Sequence, residues 1–115
     1  MSFIDKRFQR REKKYRRNYF IEDKLYTELE RLSKIYDASV PGLINASVEY
    51  LIETEDIAVY EKDEHEITPV HTIWMRESNL AGLENLKAKY GVSIYRLVNI
   101  AIRNMLSEIE CDDRL

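Results

Sequence analysis

Apolar residues recur along this 115-residue chain with two different periods, and the two periods alternate twice. Short runs rich in aromatic and β-branched residues, at 17–21 and 71–75, are typical of strands. Each run is followed by apolar residues at three- and four-residue spacing, over 23–36 and 77–90, which predicts an amphipathic helix. A second and more apolar helical stripe follows each of these helices. The chain is therefore predicted to run strand, helix, helix, twice over.

The two halves of this pattern match each other without a gap at an offset of 54 residues. Residues 17–52 correspond to 71–106, and seven of the paired positions are identical. The identical pairs are Leu29/Leu83, Glu30/Glu84, Leu32/Leu86, Tyr36/Tyr90, Ser39/Ser93, Leu43/Leu97 and Asn45/Asn99. One unit of about 36 residues buries too little apolar surface to be stable alone, so the two copies are expected to share one core.

A short break separates the two predicted helices of each copy. Gly91 is suited to end the first helix of the second copy in a left-handed conformation. Ser39 and Ser93 stand where the N-cap of each second helix belongs, and Pro41 is tolerated in a first turn. Each copy is thus predicted to be a strand followed by two helices joined by a tight turn.

Strand, helix, turn and Ser-capped helix, in this order, resemble the ribbon-helix-helix family of the Arc, MetJ and CopG type. The most specific match is the sequence YGVSIYRLV at 90–98, and its counterpart at 36–44 is looser. The resemblance implies a mainly α fold in which two ribbon-helix-helix units form a two-stranded antiparallel ribbon over four helices, as an intramolecular pseudo-dimer. The alternative is that each unit pairs with its counterpart in a second chain.

On this interpretation the chain divides into five segments. They are a basic N-terminal arm (1–15), a first ribbon-helix-helix unit (16–52), an acidic linker (53–69), a second unit (70–107) and an acidic tail (108–115). A connection as long as this linker is uncommon without structure of its own, so a short element at 57–60 is one expectation.

Net charge matters here mainly through its distribution along the chain. The total of −3 alone argues against a nucleic-acid partner. Residues 1–20, however, carry eight Lys and Arg against two acidic side chains, whereas 53–66 carries seven acidic residues against one lysine. A basic segment that leads into the first predicted strand favours nucleic acid, although a basic run is equally consistent with a solvated tail.

The resemblance implies that the ribbon enters the major groove of double-stranded DNA. Alternation along each strand predicts that Tyr19 and Ile21 of the first strand, and Ile73 and Met75 of the second, point into the core. The alternate residues of both strands, Val70 included, are then expected to point outward. The outward residues assigned to base readout are Arg16, Asn18, Phe20, Thr72 and Trp74. Arg and Asn can each make two hydrogen bonds to a base, whereas Val70 and Trp74 are poor hydrogen-bonding readers. Because the second strand is poor in hydrogen-bonding readers, three interpretations stay open. The DNA site is asymmetric, only the first strand reads bases, or another protein covers this face.

Phosphate contacts are expected from the basic segment and from helix N-termini. The resemblance implies that amides at the start of each second helix bind phosphate, with the helix dipole adding attraction. The residues assigned to phosphate binding are Lys13, Lys14, Arg17, Ser39, Val40, Ser93, Ile94 and Arg96. Asn45 and Asn99 lie beside the apolar stripe and are expected to bond across the helix interface.

Residues suited to catalysis or metal binding are scarce. His65 and His71 are the only histidines, and the single Cys111 excludes an intrachain disulfide framework. No apolar run approaches the length of a membrane span. We therefore expect no enzymatic activity, metal, cofactor or membrane partner, and a cytoplasmic protein of prokaryotic, plasmid or viral origin.

These observations favour a sequence-specific DNA-binding protein, most simply a transcriptional repressor or regulator, with self-association on DNA as a further option. One alternative is an accessory DNA-binding protein of plasmid partition or transfer. Another is an antitoxin or adaptor whose helices or acidic segments hold a protein partner.

Overall fold

The computed structural model describes residues 12–61 and 65–113, with side chains up to residue 110, and within them four helices pack around one small sheet. The elements are β1 (Lys14–Phe20), α1 (Asp23–Ile35), α2 (Val40–Thr54), β2 (Val70–Arg76), α3 (Glu77–Tyr90) and α4 (Ile94–Asp113). The expectation of a mainly α fold with a two-stranded antiparallel sheet is confirmed.

The two strands form an antiparallel ribbon in which Lys14 lies opposite Arg76 and Phe20 opposite Val70. Both strands are longer than predicted, since β1 begins three residues before the apolar run that indicated it. Ile21 lies just past the end of β1, where its amide donates to the carbonyl of Pro69 at 3.1 Å. The inward side chains are buried as the alternation predicts; they are Tyr19, Ile73 and Met75, and the neighbouring Ile21 is fully buried as well.

The second helix of each half supplies the centre of the core. α2 packs against α4, and both carry the wide apolar face that the sequence pattern indicates. The fully buried side chains of these two helices include Leu43, Ile44, Val48, Leu51, Leu97, Val98, Ala101, Ile102 and Met105. The more amphipathic α1 and α3 cover this centre through Leu29, Leu32, Leu83 and Leu86.

Two helix ends follow the predicted turn chemistry, and α4 runs past the predicted end of the second unit. The amide of Gly42 donates to Ser39 Oγ at 3.1 Å, so Ser39 caps α2. α3 ends at Gly91, whose φ of 67° is left-handed. α4 continues through Asp113, past the predicted boundary at 107, because Ile109 extends the apolar stripe and is 8% exposed.

The connection between the two halves packs onto the fold without regular structure. Residues 55–61 and 65–69 form neither helix nor strand, so the short element expected at 57–60 is not observed. Ile57 and Tyr60 are instead partly buried against the core. Further along, the amide of Asp23 donates to the carbonyl of Ile67 at 2.8 Å. The described parts of the linker are therefore fastened to the helices and to the ribbon.

Candidate nucleic-acid interface

The outward face of the ribbon consists of three pairs of opposed side chains. The pairs are Arg16 and Trp74, Asn18 and Thr72, and Phe20 and Val70. All six residues are exposed, and the three apolar ones keep about half of their surface in solvent. The structure thus brings the five residues predicted for base readout onto one face, together with Val70, which was predicted to point outward but not to read bases. We call these six residues the ribbon face.

Two contacts organise the ribbon face from within. The guanidinium of Arg16 lies 6.0 Å from the centroid of the Trp74 ring, at the outer limit of a cation–π contact. Thr72 Oγ1 donates to Asn18 Oδ1 at 2.8 Å, which fixes the orientation of the Asn18 amide at the middle of the face. A polar centre is therefore held between a cationic end and an apolar end.

Asn45 ties the first turn of α2 to strand β2. Its Nδ2 donates to the carbonyl of Trp74 at 2.8 Å and to that of Pro41 at 2.9 Å, while its Oδ1 accepts from the amide of Arg76 at 2.8 Å. Asn45 also accepts from Asn79 Nδ2 on α3, which is the bond across a helix interface expected from the sequence. The contacts to the strand were not expected, and they bring the start of α2 to the edge of the ribbon.

Asn99 repeats the strand contacts of Asn45 on the other side, one repeat offset away. The bond across a helix interface that was also expected of Asn99 has no equivalent, because Leu25 stands at the place of Asn79. Asn99 Nδ2 donates to the carbonyl of Phe20 at 2.8 Å and to that of Tyr95 at 2.7 Å, and its Oδ1 accepts from the amide of Glu22 at 3.0 Å. Each of these partners stands 54 positions from the corresponding partner of Asn45. The start of α4 is thereby held beside β1 as the start of α2 is held beside β2.

Four predicted phosphate-binding residues stand at these two helix starts and flank the ribbon on both sides. They are Ser39, Val40, Ser93 and Ile94. Both serines are exposed, and Ser93 accepts the amide of Leu97 through its carbonyl at 3.0 Å, as the residue before a helix does. A helix N-terminus presents amides and partial positive charge, so both flanks suit an anionic group.

Three predicted phosphate-binding cations lie along one strand of the ribbon. Lys13, Lys14 and Arg17 are all exposed on or just before β1. Lys14 is already part of the strand and Lys13 accepts the amide of Glu77 at 2.9 Å, so the ribbon begins before the predicted arm boundary at residue 15. The rest of the predicted basic arm, 1–11, lies outside the described residues.

Arg96 contacts the linker in this structure. Its Nη2 donates to the carbonyl of Tyr60 at 2.7 Å. With Glu22, Glu61 and Asn99 it lines a cleft of about 320 Å³ between the linker and the start of α4. Arg96 therefore positions the linker, and its assignment to phosphate binding stays a prediction.

Tyr60 is a linker residue whose side chain has two partners in the fold. Its hydroxyl donates to the carboxylate of Glu22, and the guanidinium of Arg103 lies 3.6 Å from the centroid of its ring. Burial, with a smaller contribution from Glu22, raises the pKa of Tyr60 well above its ordinary value. The hydroxyl of Tyr60 therefore stays protonated at neutral pH and bridges the linker to the end of β1.

A direct ion pair occupies the corresponding place in the other half. Arg76 Nη1 lies 3.1 Å from Glu49 Oε2, and both side chains are nearly buried. These two residues stand 54 positions from Glu22 and Arg103, with the charges exchanged between helix and strand end. Tyr60 of the linker therefore stands between Glu22 and Arg103 in one half, whereas the equivalent residues of the other half pair directly.

Two carboxylates that the sequence pattern did not indicate cap the first helix of each half. Glu66 Oε1 accepts the amide of Lys24 at 2.9 Å, and Glu12 accepts both the amide of Ser78 at 3.3 Å and its hydroxyl at 2.8 Å. Glu12 and Glu66 are themselves 54 residues apart. Extending the repeat five residues towards the N-terminus would have paired them.

Tyr95 is an aromatic residue beside the ribbon face that was also not predicted. Its ring lies 6.2 Å from that of Phe20, edge to face at 78°, and it is 44% exposed. Its position in the first turn of α4 is the signal that could have placed it there. Tyr95 extends the apolar end of the ribbon face towards the predicted phosphate site at Ser93.

Other chemistry is sparse in the part of the chain that the structure describes. No three His, Cys, Asp or Glu side chains there come together as metal ligands, and His71 instead stacks on Tyr26 with ring centroids 3.7 Å apart. None of the described helices is long and apolar enough to cross a membrane. A scan against protein-family models, a search of curated proteins and a search of solved structures each found no match for this chain.

Proposed function

We propose that this chain binds double-stranded DNA with sequence specificity through the ribbon face, as a ribbon-helix-helix protein that carries both units in one polypeptide. The observation that carries the proposal is that two equivalent asparagines hydrogen-bond to the strands of the ribbon. Asn45 and Asn99 hold one helix N-terminus on each side of an exposed two-stranded ribbon. The simplest biological role for such a surface is that of a transcriptional repressor or regulator.

The register of the ribbon supports the view that one chain supplies both units. Asn18 and Thr72 lie opposite each other and are 54 residues apart, which is the repeat offset. A twofold relation between the two copies requires the residue at the centre of the ribbon to face its own counterpart. Asn18 and Thr72 therefore mark the axis that would relate the two halves.

The dimensions and chemistry of this surface suit the major groove. A groove about 12 Å wide admits a two-stranded β-ribbon. Arg16, Asn18 and Thr72 can then bond to base edges, while Phe20 and Trp74 can contact thymine methyl groups. The helix starts on both flanks would lie near the phosphates that border the groove, where they fix the position of the protein without reading sequence.

The test is selection of bound duplexes from a pool with about 20 random base pairs, followed by titration of the selected duplex and a scrambled one at several salt concentrations. We expect an enriched motif, a preference of at least roughly 10³-fold at physiological salt, and affinity that falls steeply with salt. Lys14→Ala should weaken binding to both duplexes, whereas Arg31→Ala, which removes the same charge from the exposed ion pair with Glu28 on α1, should not. A pool without any enriched motif would overturn the proposal.

One observation favours a protein partner as the second candidate. Phe20, Val70 and Trp74 each leave about half of their surface exposed on the same face, and grouped apolar exposure is typical of interaction sites. An antitoxin or adaptor would bind a protein partner through the ribbon face, and the selection from random duplexes would then return no motif. An accessory protein of plasmid partition or transfer would return one, and would differ from a regulator in where the motif lies in the genome.

A further inference from the structure

The two ends of the ribbon face occupy equivalent places but differ in chemistry. Arg16 corresponds to Val70 and Phe20 corresponds to Trp74, because the members of each pair are 54 residues apart. In the register of the ribbon, one end therefore presents Arg16 with Trp74, and the other presents Val70 with Phe20. A guanidinium stands at one end where an isopropyl group stands at the other.

The cations flanking the ribbon face are distributed in the same unequal way. Lys14, on β1, has Thr68 as its counterpart before β2. Arg17 is exposed, whereas its counterpart His71 is partly buried and stacked on Tyr26. Positive charge is thus concentrated on β1, and β2 presents neutral side chains to the solvent.

We propose that the DNA site of this protein is non-palindromic, with a guanine read by Arg16 in one half-site and an apolar, thymine-type contact to Val70 and Phe20 in the other, so that the chain binds in one orientation. This inference rests on the proposed function. It follows from the Arg16/Val70 difference at equivalent places on the two ends of one exposed face.

Base chemistry explains why this difference sets an orientation. An arginine bonds to O6 and N7 of guanine together, and a good bidentate contact of this kind discriminates roughly 5- to 150-fold against the wrong base. Valine and phenylalanine offer only apolar contact, for which the thymine methyl group is the partner in the major groove. A ribbon with identical strands cannot distinguish a site from its reversed copy, but this ribbon can.

The inference is tested by exchanging the two side chains, Arg16→Val with Val70→Arg, and repeating the selection from random duplexes with both proteins. The wild-type protein should return a motif with guanine on one side only. The exchanged protein should return a motif with guanine at the symmetry-related position of the other half-site. In titrations each protein should prefer its own duplex by roughly 5- to 150-fold, the size of one bidentate contact.

Two single variants complete the test. Val70→Arg alone should add a second guanine and make the motif closer to a palindrome, whereas Val70→Ala should not. Because Val70 and Arg16 are exposed, neither change removes a core side chain, and circular dichroism checks that the exchanged protein is folded. A palindromic wild-type motif, or a guanine that stays in place after the exchange or does not appear with Val70→Arg, overturns this inference. A wild-type selection without any motif overturns the proposed function itself.

Discussion

At the scale of single residues, hydrogen-bonding side chains determine how the helices meet the ribbon. Asn45 and Asn99 are 2% and 3% exposed, and each bonds to main-chain groups at the edge of the ribbon that the two-stranded ladder leaves without a partner. Buried main-chain groups without partners are costly, so a two-stranded ribbon needs such bonds along its outer edges. An asparagine fits because its amide donates and accepts at the same time.

We predict that Asn45→Ala lowers the free energy of unfolding by about 2–4 kcal/mol, because it leaves the buried amide of Arg76 and the carbonyl of Trp74 without their partners. Urea unfolding followed by circular dichroism measures this. Asn104→Ala is the matched control, since Asn104 makes one exposed bond to the carbonyl of Asp56 and should cost less than about 1 kcal/mol. Equal losses in the two variants would contradict the role assigned to Asn45.

A second pair of variants separates the proposed base contacts from the proposed phosphate contacts. Arg16→Ala should relax the preference at one base position, at a cost of about 1–3 kcal/mol, because arginine reads base edges. Lys13→Ala should weaken binding to all sequences alike and reduce the salt slope by about 1. Competition titrations with single-base variants of the selected duplex measure both effects. If both substitutions lowered affinity uniformly, the assignment of Arg16 to base readout would be wrong.

At the scale of elements, the sequence predicts the helices better than the strands or the connection. α1 and α3 begin and end within one residue of the predicted ranges, since apolar periodicity and turn residues mark both ends locally. β1 extends to Lys14 because its partners are residues of β2, and that pairing has no local signal. The linker lacks a predictable structure for the same reason, because distant side chains such as Arg96 and Arg103 hold it.

Much of the candidate site could also be predicted from the sequence. The alternation along β1 and β2 identified Arg16, Asn18 and Trp74 as outward residues, because the inward positions are marked by apolar side chains. It could not place Arg96, whose position depends on the linker. It also did not indicate that Thr72 bonds to Asn18, which follows from the register between the strands.

The close approach of α2 and α3 yields a prediction at this scale. A Cβ atom added at Gly82 would lie 2.3 Å from Ile52 Cδ1, which is a steric overlap. Although alanine is the better helix former, we expect Gly82→Ala to lower the free energy of unfolding by about 1–3 kcal/mol. In the Ile52→Ala background the same change should cost less or be stabilising, and urea unfolding of the four proteins measures the coupling. An equal cost in both backgrounds would contradict the contact.

At the scale of the whole molecule, the linker joins the two halves and contacts one of two equivalent pairs of charged residues. Tyr60 lies between Glu22 and Arg103, where the other half has the Arg76–Glu49 ion pair. The charge of the chain is divided in a similar way, since exposed cations follow β1 while acidic residues concentrate in the linker. The net charge of −3 is therefore unevenly distributed, and the ribbon belongs to the basic part of the molecule.

The stabilisation that Tyr60 provides by attaching the linker should weaken at alkaline pH. The pKa of Tyr60 is raised in the folded protein, so its contribution to stability is complete below the ordinary tyrosine pKa of about 10 and is lost as the pH rises above it. We expect wild type to exceed Tyr60→Phe in unfolding free energy by a constant amount between pH 7 and 9. The difference should shrink above pH 10, as urea unfolding at each pH would show. A constant difference up to pH 11 would contradict the burial of this hydroxyl.

The central claim is that one chain forms a complete DNA-reading ribbon from its own two strands. The most direct test is sedimentation velocity of a fluorescently labelled minimal duplex, trimmed to a single copy of the selected motif, with increasing protein. We predict a free protein of 13.7 kDa and a single complex that contains one chain per duplex. A complex that requires two chains per duplex, or no complex with the ribbon face intact, would contradict it.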